Sequence, residues 1–93
     1  MPYVLIIHEV EDYQKWKTIF DQAAEIRKHA GEISYQLLSY EKEPDTIVHF
    51  SQWSSLSNAR QFFESPALVE IRKNAGVKAP QFIYLEESEH GIL

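Results

Sequence analysis

Two histidines stand where an imidazole could move a proton or contact a ligand. His8 closes the apolar run that begins at Tyr3, and His49 lies inside the run from Thr46 to Trp53, in alternation with Ile47, Ser51 and Trp53. Histidine is the side chain whose ordinary titration falls nearest neutrality, which makes it the natural general base at physiological pH. Each position also has a plain structural reading. A strand histidine often only satisfies its own hydrogen bonds, and His8 could instead fix the turn into a helix that starts near Asp12. The two rings can approach each other if the first and third strands are central neighbours. A metal centre would need a third ligand, and no His, Asp or Glu at helical spacing supplies one. Neither a metal nor another cofactor is expected.

Flat aromatic faces and a few cations complete the inventory. Tyr35, Trp53, Phe82 and Tyr84 could stack on an aromatic ligand, a tyrosine adding a directed hydroxyl. Core packing is the competing role, and for Phe82 the preferred one; Trp16 and Phe20 are assigned to the core outright. Arg27, Arg60 and Arg72 are the only arginines. One of them beside a pocket could hold a carboxylate or an oxyanion, whereas most helical arginines are solvated or paired with neighbours such as Glu64 and Glu70. His29 and His90, at a helix end and in a polar tail, are given no chemistry. No Ser-His-Asp order, Gly-rich phosphate loop or paired-carboxylate motif stands out, so hydrolase and nucleotide-dependent readings lack support.

The elements that must position these residues follow from periodicity. Residues 3 to 10 are apolar on both alternate sets, Tyr3, Leu5 and Ile7 against Val4, Ile6 and Val10, the pattern of a strand covered on both faces. Asp12 is placed to cap one helix with Trp16, Ile19, Phe20, Ala23, Ile26 and Ala30 on its buried stripe, ended by Gly31 in a left-handed cap. Strands are expected from Ile33 to Tyr40 and from Thr46 to Trp53, joined by the polar turn Glu41 to Asp45. Ser54, Ser55 and Ser57 compete to cap the next helix, and Ser65-Pro66 starts a fresh helical segment that runs to Gly76. A last strand, Gln81 to Glu87, precedes the polar tail 88–93.

The order βαββαβ predicts an α+β, ferredoxin-like arrangement in a single domain spanning 1–93, with a four-stranded antiparallel sheet and the helices on one face. The other face is then left apolar, with Leu38, Val48, Phe50, Ile83 and Leu85 joining one set from the first strand. A contiguous patch of this kind is rarely left open, so a second copy of the chain is expected to cover it. Two facing sheets would enclose a space that aromatic and polar side chains can line. Composition agrees: 93 residues, 44% hydrophobic, with no cysteine and a formal charge of -5, describe a small globular domain without covalent staples. Fourteen acidic against nine basic residues leave no basic patch for nucleic acid. With no signal-peptide pattern and no membrane segment, a cytoplasmic protein is expected.

The segment His8-Glu9-Val10-Glu11-Asp12-Tyr13-x-x-Trp16-Lys17-x-x-Phe20-Asp21, a strand-ending Trp53, Ala59-Arg60, Ser65-Pro66-x-Leu68 and Ala75-Gly76-Val77 carry a resemblance over nearly the whole chain. In order and spacing they resemble the antibiotic biosynthesis monooxygenase-like members of the dimeric α/β-barrel superfamily. The resemblance implies a homodimer with a pocket between the sheet and its helices, near the dimer interface. It further implies oxidation of phenolic or anthrone-like polycyclic substrates by molecular oxygen without metal or flavin, the substrate supplying the electron. A cyclase-like catalyst and a non-catalytic ligand-binding dimer are the alternatives that the same pocket would allow. Under this reading His49 and His8 are the catalytic candidates, and Tyr35, Trp53, Tyr84 and Arg72 the substrate-binding ones. Heme-degrading relatives are expected to carry a ligating histidine late in the second helical region, where Arg72 stands here, and that departure argues against heme.

Overall fold

The computed structural model describes residues 1–93. Strand β1 (Pro2–Val10) leads into helices α1 (Tyr13–Gln22) and α2 (Ala24–Ala30); a hairpin of β2 (Glu32–Tyr40) and β3 (Glu43–Trp53) comes next, then α3 (Leu56–Phe63), α4 (Pro66–Asn74) and β4 (Val77–Glu86). The strands form one antiparallel sheet in the order β2-β3-β1-β4, which puts the two histidine-bearing strands side by side at its centre. This is the expected ferredoxin-like α+β fold. No helix is long and apolar enough to cross a membrane.

Local chemistry accounts for the boundaries. The Asp12 carboxylate accepts the N–H groups of Gln14 and Lys15 at the start of α1, Ser55 Oγ accepts that of Asn58 in α3, and Ser65 caps α4 with Pro66 at its first position. Gly31 ends α2 at φ 125, and a Cβ there would meet Ser54 Oγ at 2.5 Å. The expected single first helix is in fact two. Ala23, at φ -89 and ψ 5, interrupts it and shares its N–H between the carbonyls of Ile19 and Phe20. The interruption shifts the phase of α2 relative to α1, so Ile26 is 45% exposed and Arg27 is the α2 residue turned inward.

Two strand starts also differ from expectation. β2 and β3 pair through Tyr40 and Glu43, which tightens the turn to Glu41 and Lys42; Pro44 is tolerated because β3 has there run past its last partner in β1, where Glu9 faces Thr46. β4 begins at Val77 rather than Gln81. Its register with β1 jumps from Ile7 opposite Gln81 to Glu9 opposite Lys78, and the bulge so formed at Ala79-Pro80, with Ala79 at φ 42, lies beside His8.

Register divides the sheet into two faces. Val4, Ile6, His8 and Val10 of β1, with Ile47, His49, Ser51 and Trp53 of β3, lie under the helices, and all are buried. Trp53 packs with Val4, Ile6, Ala59 and Phe63 at one end; Val10, Trp16, Phe20, Ile47 and Ala75 form a second cluster at the other. The outer face carries Tyr3, Leu5, Ile7, Val48 and Phe50, flanked by Leu38, Ile83 and Leu85, which are exposed. Tyr3 and Phe50 stack on it at 5.2 Å. In this single chain nothing covers that face, and it is as apolar as the sequence pattern requires.

Candidate active site

His49 is 3% exposed and belongs to a chain of buried polar groups. Its Nε2 lies 2.8 Å from Glu32 Oε2, and the other carboxylate oxygen, Oε1, accepts a 2.7 Å bond from Arg27 Nε. Arg27 also donates through Nη1 to the Phe20 carbonyl and lays its guanidinium 3.7 Å over the Phe20 ring. Burial by itself would raise the pKa of Glu32; hydrogen bonds and charge from His49 and Arg27 outweigh it and hold the carboxyl below its usual value. An ionised carboxylate only accepts, so the hydrogen of a neutral His49 ring sits on Nε2. Nδ1, which has no protein partner, then carries the basic lone pair.

His8 is the opposite case. It is 6% exposed, it packs against Trp16 at 5.2 Å, and neither of its ring nitrogens has a hydrogen-bond partner within the protein. Burial, with the nearby charges of His49 and Arg72 adding to it, pushes its pKa down to about 4. At neutral pH it is therefore an uncharged imidazole with one donor and one acceptor free. Leaving buried polar atoms unpaired costs roughly 1–3 kcal/mol each, so the site carries a standing penalty that a suitably placed ligand group would remove.

Both rings line one pocket between the sheet and the helices. Arg27 and Arg72 are its other polar lining, and Trp16, Phe20 and Phe82 contribute aromatic walls. Arg72 donates to the Phe63 carbonyl at 3.0 Å, lies 4.9 Å from the Phe82 ring centre and has no carboxylate partner among the ion pairs. The free space is about 70 Å³, room for roughly five water molecules. No three His, Asp or Glu side chains converge as a metal site would require.

The structure thus brings together three of the sequence candidates, His8, His49 and Arg72. The other three stand apart from the pocket. Trp53 is 0% exposed in the core, its indole Nε1 donating to Ser51 Oγ at 2.8 Å. Tyr35 is 50% exposed and sets its ring edge-on to Phe20 and His49, supporting the site from outside. Tyr84 lies under the Arg60 guanidinium at 4.4 Å, and its hydroxyl pKa is raised by burial and by Glu64 against the opposing pull of Arg60 and Arg72. All six share the helix-covered side of the sheet, and the pocket that holds three of them is formed by residues of a single chain. Phe82, Trp16 and Phe20 pack as core residues and line the pocket as well.

Sequence reasoning missed Glu32 altogether and did not separate Arg27 from Arg60 and Arg72, leaving each as a pocket cation or a solvated or paired helical one. Strict alternation through Tyr35 and Leu37 would send Glu32 to the outer face. The register irregularity between Glu32 and Ser34 turns it inward, opposite Trp53. Only a carboxylate directly after the helix-ending Gly31 hinted at it.

The family described as antibiotic biosynthesis monooxygenase matches residues 9–74. The chain belongs to that family. The matched span includes Arg27, Glu32, His49 and Arg72, while His8 immediately precedes it. Among solved structures, SnoaB, a cofactor-independent oxygenase from Streptomyces nogalater, superposes with a TM-score of 0.74 at 11% identity, covering 96% of this chain and 93% of the other. A monooxygenase from the gene ActVA-Orf6 of Streptomyces coelicolor, in complex with nanaomycin D, gives 0.64 at 16% identity, covering 99% and 90%. At these identities the likeness is one of fold. No curated protein sequence matches the chain.

Proposed function

We propose that this family member binds a small phenolic or polyketide-like aromatic compound in the pocket and oxygenates it with dioxygen, without metal or flavin, as a cytoplasmic homodimer. The observation that carries the reading is the pairing of two unlike imidazoles on one pocket wall. His49 is oriented by a carboxylate, and His8 has no partner within the protein. In this mechanism His49 Nδ1 removes a proton from the phenol or from the activated carbon it conjugates with. The carbanion passes one electron to dioxygen, and the resulting radical and superoxide combine in a carbon–oxygen bond. His49 returns its proton to the peroxide. Loss of the remaining hydrogen from that carbon, together with the outer oxygen, gives water and leaves a carbonyl, so one methylene and one dioxygen become one ketone and one water. Arg72 and His8 stabilise the developing oxyanion, and the aromatic walls exclude bulk water.

The outer face supports the homodimer: Leu38, Ile83 and Leu85 are exposed beside a stacked Tyr3–Phe50 pair, a patch that a second copy of the same sheet would bury. A non-catalytic binding dimer is the second reading, and the small free volume favours it, since a fused-ring ligand requires the helices to move outward from the sheet. Oxygen uptake with a dihydroxynaphthalene or dihydroxyanthrone probe separates the two. Uptake above the autoxidation rate that is lost in His49→Ala supports the oxygenase. Quenching of Trp16 fluorescence by the same probes without uptake supports the binding protein and overturns the oxygenase.

A further inference from the structure

Glu32 and Arg27 are buried charged groups whose part in the site is not set by the reaction itself. A carboxylate that merely stapled α2 to β2 would need only Arg27. Here one oxygen takes the Arg27 bond at 2.7 Å, and the other reaches His49 Nε2 at 2.8 Å. The three side chains are nearly sealed from solvent, with 4% to 6% of each exposed. The imidazole is also held from its sides: Phe20 meets it edge-on at 5.1 Å and 88°, and Tyr35 at 6.1 Å and 82°. Arg27 is itself fixed, over the Phe20 ring and on the Phe20 carbonyl. A ring so held presents one nitrogen to the carboxylate and leaves the other without a protein partner, on a residue that lines the pocket.

We infer that Glu32 is a positioning residue that fixes the His49 tautomer, hydrogen on Nε2 and lone pair on Nδ1, and that Arg27 holds the carboxylate in place and keeps it from taking the proton itself. The consequence for turnover rests on the oxygenase reading; the tautomer does not. Glu32 acts through His49 and touches no substrate. When His49 takes a proton at Nδ1, the imidazolium forms against a carboxylate already bonded to it, and no group has to reorient. A neutral amide in place of the carboxylate would reverse this. In Glu32→Gln the amide oxygen can still accept from Arg27, but the amide nitrogen donates to His49 Nε2 and drives the hydrogen to Nδ1. The lone pair then sits on Nε2, against the amide.

The test is nitrogen NMR of the full chain labelled in its histidine rings, with the His49 signals assigned by their absence in His49→Gln. The expected result is a protonated Nε2 and an unprotonated Nδ1 in the wild type, and the reverse in Glu32→Gln. On the oxygenase reading, kcat for oxygen uptake falls on the order of a hundredfold or more, with KM little changed. A wild-type ring protonated on Nδ1 or averaging between tautomers, or an unchanged pattern in Glu32→Gln, overturns the inference whatever the activity. Should Glu32→Gln fail to fold, the wild-type spectrum decides alone. A reversed pattern with unchanged oxygen uptake upholds the positioning of His49 and removes His49 from the reaction.

Discussion

Replacing His8 with leucine should stabilise the protein while abolishing ligand binding. The imidazole has two buried nitrogens without partners, and exchanging an unsatisfied polar group for an apolar one of similar volume recovers roughly 1–3 kcal/mol. Imperfect fit of the branched side chain takes back up to about 1 kcal/mol. A net gain of up to about 3 kcal/mol is expected near pH 7.5, where His8 is neutral in both the folded and the unfolded chain. Acid widens the gap. The folded pKa, about 4, lies below the ordinary 6.5, so between these values the unfolded chain binds a proton that the folded one does not. The contribution of His8 is fully present above about 6.5 and is lost as pH falls toward 4. At about pH 5 the loss amounts to about 2 kcal/mol, and the leucine variant is spared it. Urea unfolding of both proteins at one fixed concentration reads these differences, the concentration being fixed so that self-association contributes equally to both. A variant less stable than wild type at pH 7.5, with a parallel pH dependence, would refute the claim that His8 is held unpaired.

Arg27→Ala removes the guanidinium that pairs with the buried Glu32 carboxylate and should cost about 3–5 kcal/mol in the same unfolding assay. Ile83→Glu places a charge on the exposed apolar face without touching the core; sedimentation equilibrium should show a dimer for wild type and a monomer for the variant, and a monomeric wild type at micromolar concentration would remove the homodimer. Trp53→Phe deletes the indole donor to Ser51 and strands a buried hydroxyl. It should lose roughly 1–3 kcal/mol of stability while probe binding, read by titration calorimetry, stays unchanged.

The fold was legible because the signals that specify it are local or periodic. The two alternate apolar sets of β1, the capping Asp12, the Ser65-Pro66 start and the left-handed Gly31 each act within a few residues, and the unfilled sheet face comes from counting helices against faces. His8 and His49 share one side of neighbouring strands because alternation holds unbroken from Val4 to His8 and from Ile47 to Trp53; the sequence offered their approach only on the condition that those strands are neighbours. The half of the site that was not legible depends on breaks in periodicity. Arg27 turns inward because the helix is interrupted at Ala23, and Glu32 because β2 is irregular at Ile33. Neither break carries a glycine or proline to announce it. Trp53 and Tyr84 sit on the predicted face, yet alternation says nothing of position along the strand, and both lie beyond the pocket's end.

Isotope labelling addresses the central claim most directly. With dioxygen enriched in the heavy isotope and a dihydroxyanthrone as substrate, mass spectrometry of the enzymatic product should show one labelled oxygen atom in the new carbonyl, formed at a rate above autoxidation and lost in His49→Ala. An unlabelled product, or labelling no faster than in the absence of protein, would contradict the oxygenase account.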